Sequence, residues 1–226
     1  MDQLPLYIPI VFILTVLLTV FVFFKATRGS AAPTILVFVW LAIQAAISYT
    51  GFYTETQTLP PRFLVLVLPP FLLILLLFTG SRGRRFIDRL DIRMLVLIHI
   101  VRVPVELVLF WLSKENAVPT IMTFEGRNFD IFAGVTAPAV YYFRFIRPII
   151  GKSAFIIWNL ACLALLLNVV VHGILSVATP FQKFAFDQPN VAVLYFPYVW
   201  LPCLVVQVVL FSHLAAIRKT MKGHKA

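Results

Sequence analysis

Seven long apolar segments follow one another along this chain, and they constrain its fold more than any other feature. They are Leu6–Phe24, Ala32–Tyr49, Phe63–Thr79, Ile92–Ser113, Phe129–Phe145, Ala154–Val177 and Val191–Ile217. About 18 apolar residues are enough for a helix to cross the hydrocarbon layer of a bilayer. Because the runs are continuous and not alternating, they predict helices rather than barrel strands. We therefore expect an all-α integral membrane protein, a single domain (1–226) of seven transmembrane helices.

Composition and the connections between segments support this interpretation. Hydrophobic residues make up 61% of the chain and charged residues 12%, whereas soluble domains average about 25% charged. The acidic start MDQLP and the long first apolar run favour a membrane helix over a signal peptide. Short connections predict a tight antiparallel bundle. The small size and short loops lead us to expect a bacterial plasma (inner) membrane location.

Lysine and arginine concentrate in the connections after odd-numbered segments. These are Lys25, Arg28, Arg82, Arg84, Arg85, Arg89, Arg93, Arg144, Arg147, Lys152, Arg218, Lys219, Lys222 and Lys225. The other connections hold only Arg62, Lys114, Arg127 and Lys183. The basic side is expected to be cytoplasmic, which places the N-terminus outside and the C-terminus inside. The net charge of +10 then reflects topology and contact with membrane lipids, and no nucleic acid partner is expected.

The fourth segment carries three ionisable residues on one face: His99, Arg102 and Glu106. Spacings of three, four and seven residues bring side chains to one side of a helix. A charge at the bilayer centre costs roughly 2.5–3.5 kcal/mol on insertion scales, so each needs compensation. Arg preceding Glu is the less favourable order within a helix, so the two residues are free to engage separate partners. This face is the first candidate for a functional site.

Polar residues of other segments are candidates to complete the site. Asn168 and His172 share a face of the sixth segment, and His172 is expected somewhat outward of the depth of Glu106. A Glu–His pair would serve as a proton relay or as an anchor for a polar ligand. Gln44 and Gln207 either join this polar interior or form interhelical hydrogen bonds worth roughly 0.6 kcal/mol each.

The connection before the fifth segment is long, and charged residues alternate with apolar ones in it. Glu125, Arg127, Asn128 and Asp130 lie close together there, so the segment is a candidate lid that caps the bundle or dips into it. The fifth segment continues with the small residues Ala133, Gly134 and Ala137 on one face. Small residues let helices approach closely, so this face predicts helix packing.

Metal and cofactor chemistry has little support in the sequence. His99 and His213 are expected at a similar depth, but a metal site needs three or four ligands, and HxxxH and HExxH spacings are absent. Cys162 and Cys203 lie within apolar segments, which argues against a disulfide framework or a thiolate site. We therefore expect no metal and no cofactor.

Three functional hypotheses follow. The first is a proton-coupled transporter that binds a small polar or amphipathic ligand in a cavity open to the outside, between the second, fourth, sixth and seventh segments. In it Glu106 and His172 handle protons and Arg102 attracts an anionic group. The second is an integral membrane enzyme acting on a lipid substrate, with the same Glu and His as acid and base. The third is a non-catalytic subunit of a membrane complex; the oligomeric state stays open.

Overall fold

Helices provide all the regular structure in the computed structural model, which describes residues 4–223. The main helices are α1 (Tyr7–Ala26), α2 (Ala31–Tyr49), α3 (Leu64–Thr79), α4 (Ser81–Arg89), α5 (Ile92–Lys114), α6 (Ile131–Ile146), α7 (Lys152–Leu175) and α8 (Leu201–Met221). Single helical turns interrupt some of the connections.

Within the described residues, five helices are long and apolar enough to cross a membrane: α1, α2, α5, α7 and α8. Helices α3 and α4 form a sixth candidate that bends by 92°, because Gly80 between them has extended backbone that ends α3. Helix α6 is apolar but shorter than the other candidates. The prediction of a helical membrane protein is therefore confirmed, with five or six candidate spans by this criterion.

Proline residues lie in or near two irregular turns of the apolar helices. A proline lacks the N–H that would bond the carbonyl four residues earlier. The turn Ile98–Val101 of α5, which precedes Pro104, is wound as a 3₁₀ helix. The first turn of α8, Leu201–Val205, contains Pro202 and is wound as a π helix. Both irregular turns lie close to the polar residues considered below.

Helices α5 and α8 form the centre of the bundle. Buried residues make up 61% of an apolar 18-residue window in α5 and 67% in α8, compared with 17% in α2 and 22% in α7. Helix α5 packs on α1, α6 and α8, and α7 also packs on α8. The outer helices turn many large apolar side chains outward, as lipid-facing helices do. Polar groups of the central pair are thereby shielded from lipid.

Helix α6 approaches α5 closely through its small residues. Ala133 and Ala137 are fully buried in this contact. A Cβ atom added at Gly134 would lie 2.8 Å from Cγ2 of Val103 and 3.0 Å from the backbone nitrogen of Val103. Only glycine fits at this separation, which agrees with the packing role predicted for the small-residue face.

At the opposite end of α8 from its π turn, basic residues bind Asp88 of α4. Nζ of Lys222 lies 2.8 Å from Oδ2 of Asp88, and Nε of Arg218 lies 3.3 Å from Oδ1. Nζ of Lys219 donates to the backbone carbonyl of Asp88 at 2.6 Å. Burial acts to raise the pKa of Asp88, but the hydrogen bonds and charges of Lys222 and Arg218 outweigh it and lower the pKa. These contacts tie α4 to α8.

We expect Gly134→Ala to destabilise the bundle, because the added methyl group must displace Val103 or push α6 away from α5. Overpacking of this kind costs about 1–3 kcal/mol. The measurement is the apparent melting temperature of the detergent-purified protein. Gly151→Ala is the matched control, since an added Cβ there meets no atom within 4 Å. Equal melting temperatures for the two variants would contradict the close contact.

We expect Asp88→Asn to lower the melting temperature at pH 7. A carboxylate with a lowered pKa stabilises the folded state above its unfolded pKa, about 3.9, and loses that contribution as the pH falls through the lower folded value. The difference between variant and wild type should therefore shrink toward pH 3. Glu55→Gln, at an exposed position, serves as the control. A difference that is constant with pH would show that the charge of Asp88 is irrelevant.

Candidate functional site

Arg102 is buried in the centre of the bundle and binds Asp130, not the nearby Glu106. Its Nε atom lies 3.0 Å from Oδ2 of Asp130, and the two side chains are 2% and 7% exposed. The Nη2 atom of Arg102 donates to the backbone carbonyl of Cys162 at 3.3 Å. Asp130 stands at the start of α6, so this ion pair joins α5 to α6. The positive charge is compensated locally, which weakens the expectation that Arg102 attracts an anionic ligand.

Glu106 is held by Asn128 from the connection before α6. Nδ2 of Asn128 donates to Oε1 of Glu106 at 2.6 Å and to the carbonyl of Met122 at 2.9 Å. Oδ1 of Asn128 accepts from the backbone N–H of Asp130 at 2.9 Å. Asn128 and Asp130 are both buried. The connection therefore dips into the bundle, as one of the two sequence-based alternatives had it.

The other two lid candidates lie at the surface. Glu125 forms an exposed ion pair with Lys114, with 2.8 Å between Oε2 and Nζ. The side chain of Arg127 is exposed, and its backbone carbonyl accepts a hydrogen bond from Nδ2 of Asn168 at 2.8 Å. These residues anchor the outside of the connection and do not reach the buried cluster.

A cavity of about 320 Å³ lies beside this cluster, between α3, α5, α7 and α8. Its walls are mainly Leu, Val, Ile and Phe side chains, and its polar lining residues are Arg102, Glu106, Asp130, Asn190 and Gln207. Pockets that bind small molecules usually measure about 300–1,000 Å³ and combine apolar walls with few polar groups. The cavity meets that description.

Helix α3 lines the cavity in the place that the sequence analysis assigned to α2. Helix α2 is attached to the other side of the π turn of α8. Nε1 of Trp40 donates to the carbonyl of Cys203 at 3.1 Å, and Nε1 of Trp200 donates to the carbonyl of Leu41 at 3.0 Å. Gln44 accordingly accepts a hydrogen bond from the hydroxyl of Tyr53, away from the cavity. Gln207 does line the cavity, as expected.

His172 does not contact Glu106, so the structure does not bring together the predicted Glu–His pair. The face of α7 that lines the cavity contains Val169 and Gly173, and His172 points elsewhere because successive helical residues turn by about 100°. Its Nδ1 atom lies 2.8 Å from the carbonyl of Asn168, and its ring packs against Phe184. Asn168 contacts the connection before α6, whereas Phe184 belongs to the connection before α8.

His99 and His213 meet face to face on the interior of α5 and α8. Their ring centroids are 3.8 Å apart and their planes differ by 13°. Nδ1 of His213 lies 2.9 Å from Oδ1 of Asn159, and Trp158 packs on both rings by its edge. Parallel stacked rings direct their nitrogen lone pairs side by side, not toward one point. The pair therefore has the geometry of a packed polar contact between helices.

Three contributors to the buried polar network were not recognised as site residues from the sequence. Asn190, in the connection before α8, lines the cavity, and Asn159 holds His213. The carbonyl of Cys162 binds Arg102. No spacing pattern marks Asn190, because it lies in irregular structure. Asn159 does share the sixth segment with Asn168, and a search for every buried amide would have found it.

We expect Asp130→Asn to destabilise the protein strongly, because it removes the carboxylate that contacts the buried Arg102 guanidinium. Removing one partner of a buried pair costs about 3–5 kcal/mol. The control Glu125→Gln breaks an exposed pair, where the expected cost is about 0–1 kcal/mol. Melting temperatures in detergent compare the two.

The double variant Arg102→Gln with Asp130→Asn removes both charges of this pair and should recover part of the lost stability. Equal melting temperatures for the single variants Asp130→Asn and Glu125→Gln would contradict a structural role for the buried ion pair.

Comparison with known proteins adds no family to these observations. The chain matches no protein-family model, no curated protein and no solved structure. The functional interpretation therefore depends on the cavity and on the side chains that line it.

Proposed function

We propose that this is an integral membrane protein that binds an amphipathic ligand in the cavity between α3, α5, α7 and α8, as a proton-coupled transporter. The observation that carries the proposal is the distribution of polarity around the cavity. Its walls are apolar, and its charged residues are Arg102, Glu106 and Asp130. A molecule with a hydrocarbon portion and one polar group matches such a lining better than a wholly polar solute does.

The exposure of α3 supports entry of the ligand from the bilayer. Phe71 lines the cavity, and its side chain is 40% exposed. Leu167 of α7 likewise lines the cavity and is half exposed. Side chains that face both the cavity and the lipid separate the two by a single layer. An amphipathic molecule dissolved in the membrane has only that layer to pass.

The charge of the cluster supports proton coupling. Glu106 and Asp130 supply two carboxyl groups, and Arg102 supplies one guanidinium group. One proton shared by the two carboxyl groups would make the cluster neutral, and an unbalanced charge is costly in a site of low dielectric constant. Arg102 and Asp130 are the charged groups that face Glu106 from α5 and α6. Gain or loss of that proton on ligand binding would couple the two events.

For the topology we propose seven crossings, with α3 and the shorter α6 each counted as one. The N-terminus would lie outside and the C-terminus in the cytoplasm. The basic residues Arg218 and Lys222, which bind Asp88, lie at one end of the bundle. The positive-inside rule makes that end cytoplasmic. The bacterial inner membrane is the compartment we propose.

The enzyme hypothesis has less support from the geometry. As predicted from the sequence, it pairs Glu106 with His172 as acid and base at one substrate, and His172 does not line the cavity. The hypothesis of a non-catalytic subunit leaves the cavity unexplained. Binding and transport account for both the cavity and its buried charges, so we favour them.

We expect Val170→Trp, which fills the cavity, to abolish labelling of the cavity by a photoreactive analogue of decanol in lipid nanodiscs. The indole ring occupies space that the alkyl chain would otherwise use. The measurement is mass spectrometry of crosslinked peptides from Val205–Leu210, buried residues of which line the cavity. Leu160→Trp on the lipid-facing surface of α7 is the control and should label as wild type does. Labelling confined to lipid-exposed residues in wild type would overturn the proposal.

A further inference from the structure

The polar residues of the cavity share an excess of hydrogen-bond acceptors. Four of them each keep one buried oxygen atom without a hydrogen-bond partner among residues 4–223: Oε2 of Glu106, Oδ1 of Asp130, Oδ1 of Asn190 and Oε1 of Gln207. All four residues are at least nine-tenths buried. Buried oxygen atoms in native proteins are normally satisfied by protein, water or ligand. The cavity is therefore built to receive donors.

Backbone carbonyl partners fix the orientation of the two amide groups. Nδ2 of Asn190 lies 3.1 Å from the carbonyl of Gly173, and Nε2 of Gln207 lies 3.2 Å from the carbonyl of Pro202. A carbonyl only accepts, so in each case the amide nitrogen must face it. The oxygen atom of each amide is left for another partner.

The charges of the cluster favour the same kind of ligand as its hydrogen-bond acceptors do. Two carboxyl groups, Glu106 and Asp130, face one guanidinium group, Arg102. Nε of that guanidinium lies 3.0 Å from Oδ2 of Asp130, and Nη2 donates to the carbonyl of Cys162. Within residues 4–223, neither Nε nor Nη1 has a hydrogen-bond partner. An added positive charge would balance the cluster, and an added negative charge would meet two carboxylates.

We infer that the ligand carries a protonated amine on its hydrocarbon portion, and that the ammonium group binds between Glu106 and Asp130. This inference rests on the proposed function and names its substrate class. The ammonium group supplies three N–H donors and the compensating charge. Nη1 of Arg102 is placed to donate to a hydroxyl or carbonyl oxygen beside the amine. Exchange of the amine for the proton of the carboxyl pair follows, because each neutralises the same cluster.

The overall charge of the protein favours anionic ligands over cationic ones. The chain carries a net charge of +10, and a positive surface attracts anions and repels cations at long range. A preference for an amine over a carboxylate must therefore arise inside the cavity. Non-specific attraction would produce the opposite order.

The test is competition in nanodiscs of neutral phosphatidylcholine at pH 7. Decylamine, decanol and decanoate, which share one alkyl chain and differ in the polar group, compete against the photoreactive decanol analogue. We expect decylamine to displace the probe at a concentration roughly tenfold lower than decanol, with decanoate the weakest. Glu106→Gln should remove the advantage of decylamine over decanol. Glu125→Gln, at the exposed pair, should retain it.

The outcomes separate this inference from the proposed function. If decanol or decanoate competes as well as decylamine, the cavity binds amphiphiles and the amine assignment is wrong. If Glu106→Gln keeps the preference for decylamine, the carboxyl pair is not its cause and the inference is also wrong. If none of the three displaces the probe from the peptide Val205–Leu210, the proposed function itself fails. Because the competition uses the wild-type protein, it does not depend on a variant folding.

Discussion

The ion pair between Arg102 and Asp130 is the interaction on which the rest of the interior depends. A buried guanidinium group needs a counter-charge, and that charge comes from the residue that begins α6. Placing Asp130 beside α5 draws the preceding connection inward, which brings Asn128 to Glu106. The close contact of Gly134 with Val103 continues the same interface along α6. One electrostatic requirement thus positions a helix, a connection and one side of the cavity.

The division between central and peripheral helices explains where polarity is tolerated. Helices α5 and α8 are mostly buried, and they carry the stacked histidines, the arginine and the glutamate. Helices α2 and α7 face lipid over most of their surface and place their few buried polar groups against the centre. Lipid cannot hydrogen-bond a polar side chain, so such groups must lie where another helix covers them.

Much of the fold and part of the site could be predicted from the sequence. Apolar length predicts the membrane helices, and the spacing of Arg102 and Glu106 predicts their common buried face. Helical periodicity says which residues share a face, but not which neighbouring helix that face meets. That is why His172 was paired wrongly with Glu106 and why α2 was expected where α3 lies. The bend at Gly80 and the position of Asn190 depend on irregular backbone, for which the sequence has no periodic signal.

The junction of α3 and α4 has a mechanical consequence for the cavity. Helix α3 forms one wall and α8 another, and they are linked at one end through Gly80, α4 and the contacts of Asp88 with Lys222 and Arg218. Two rods joined at one end separate most at the other. A widening of the cavity would therefore be greatest beside Phe63 and Leu201. The salt-bridged end would act as a hinge, and the cavity would open toward the opposite membrane surface.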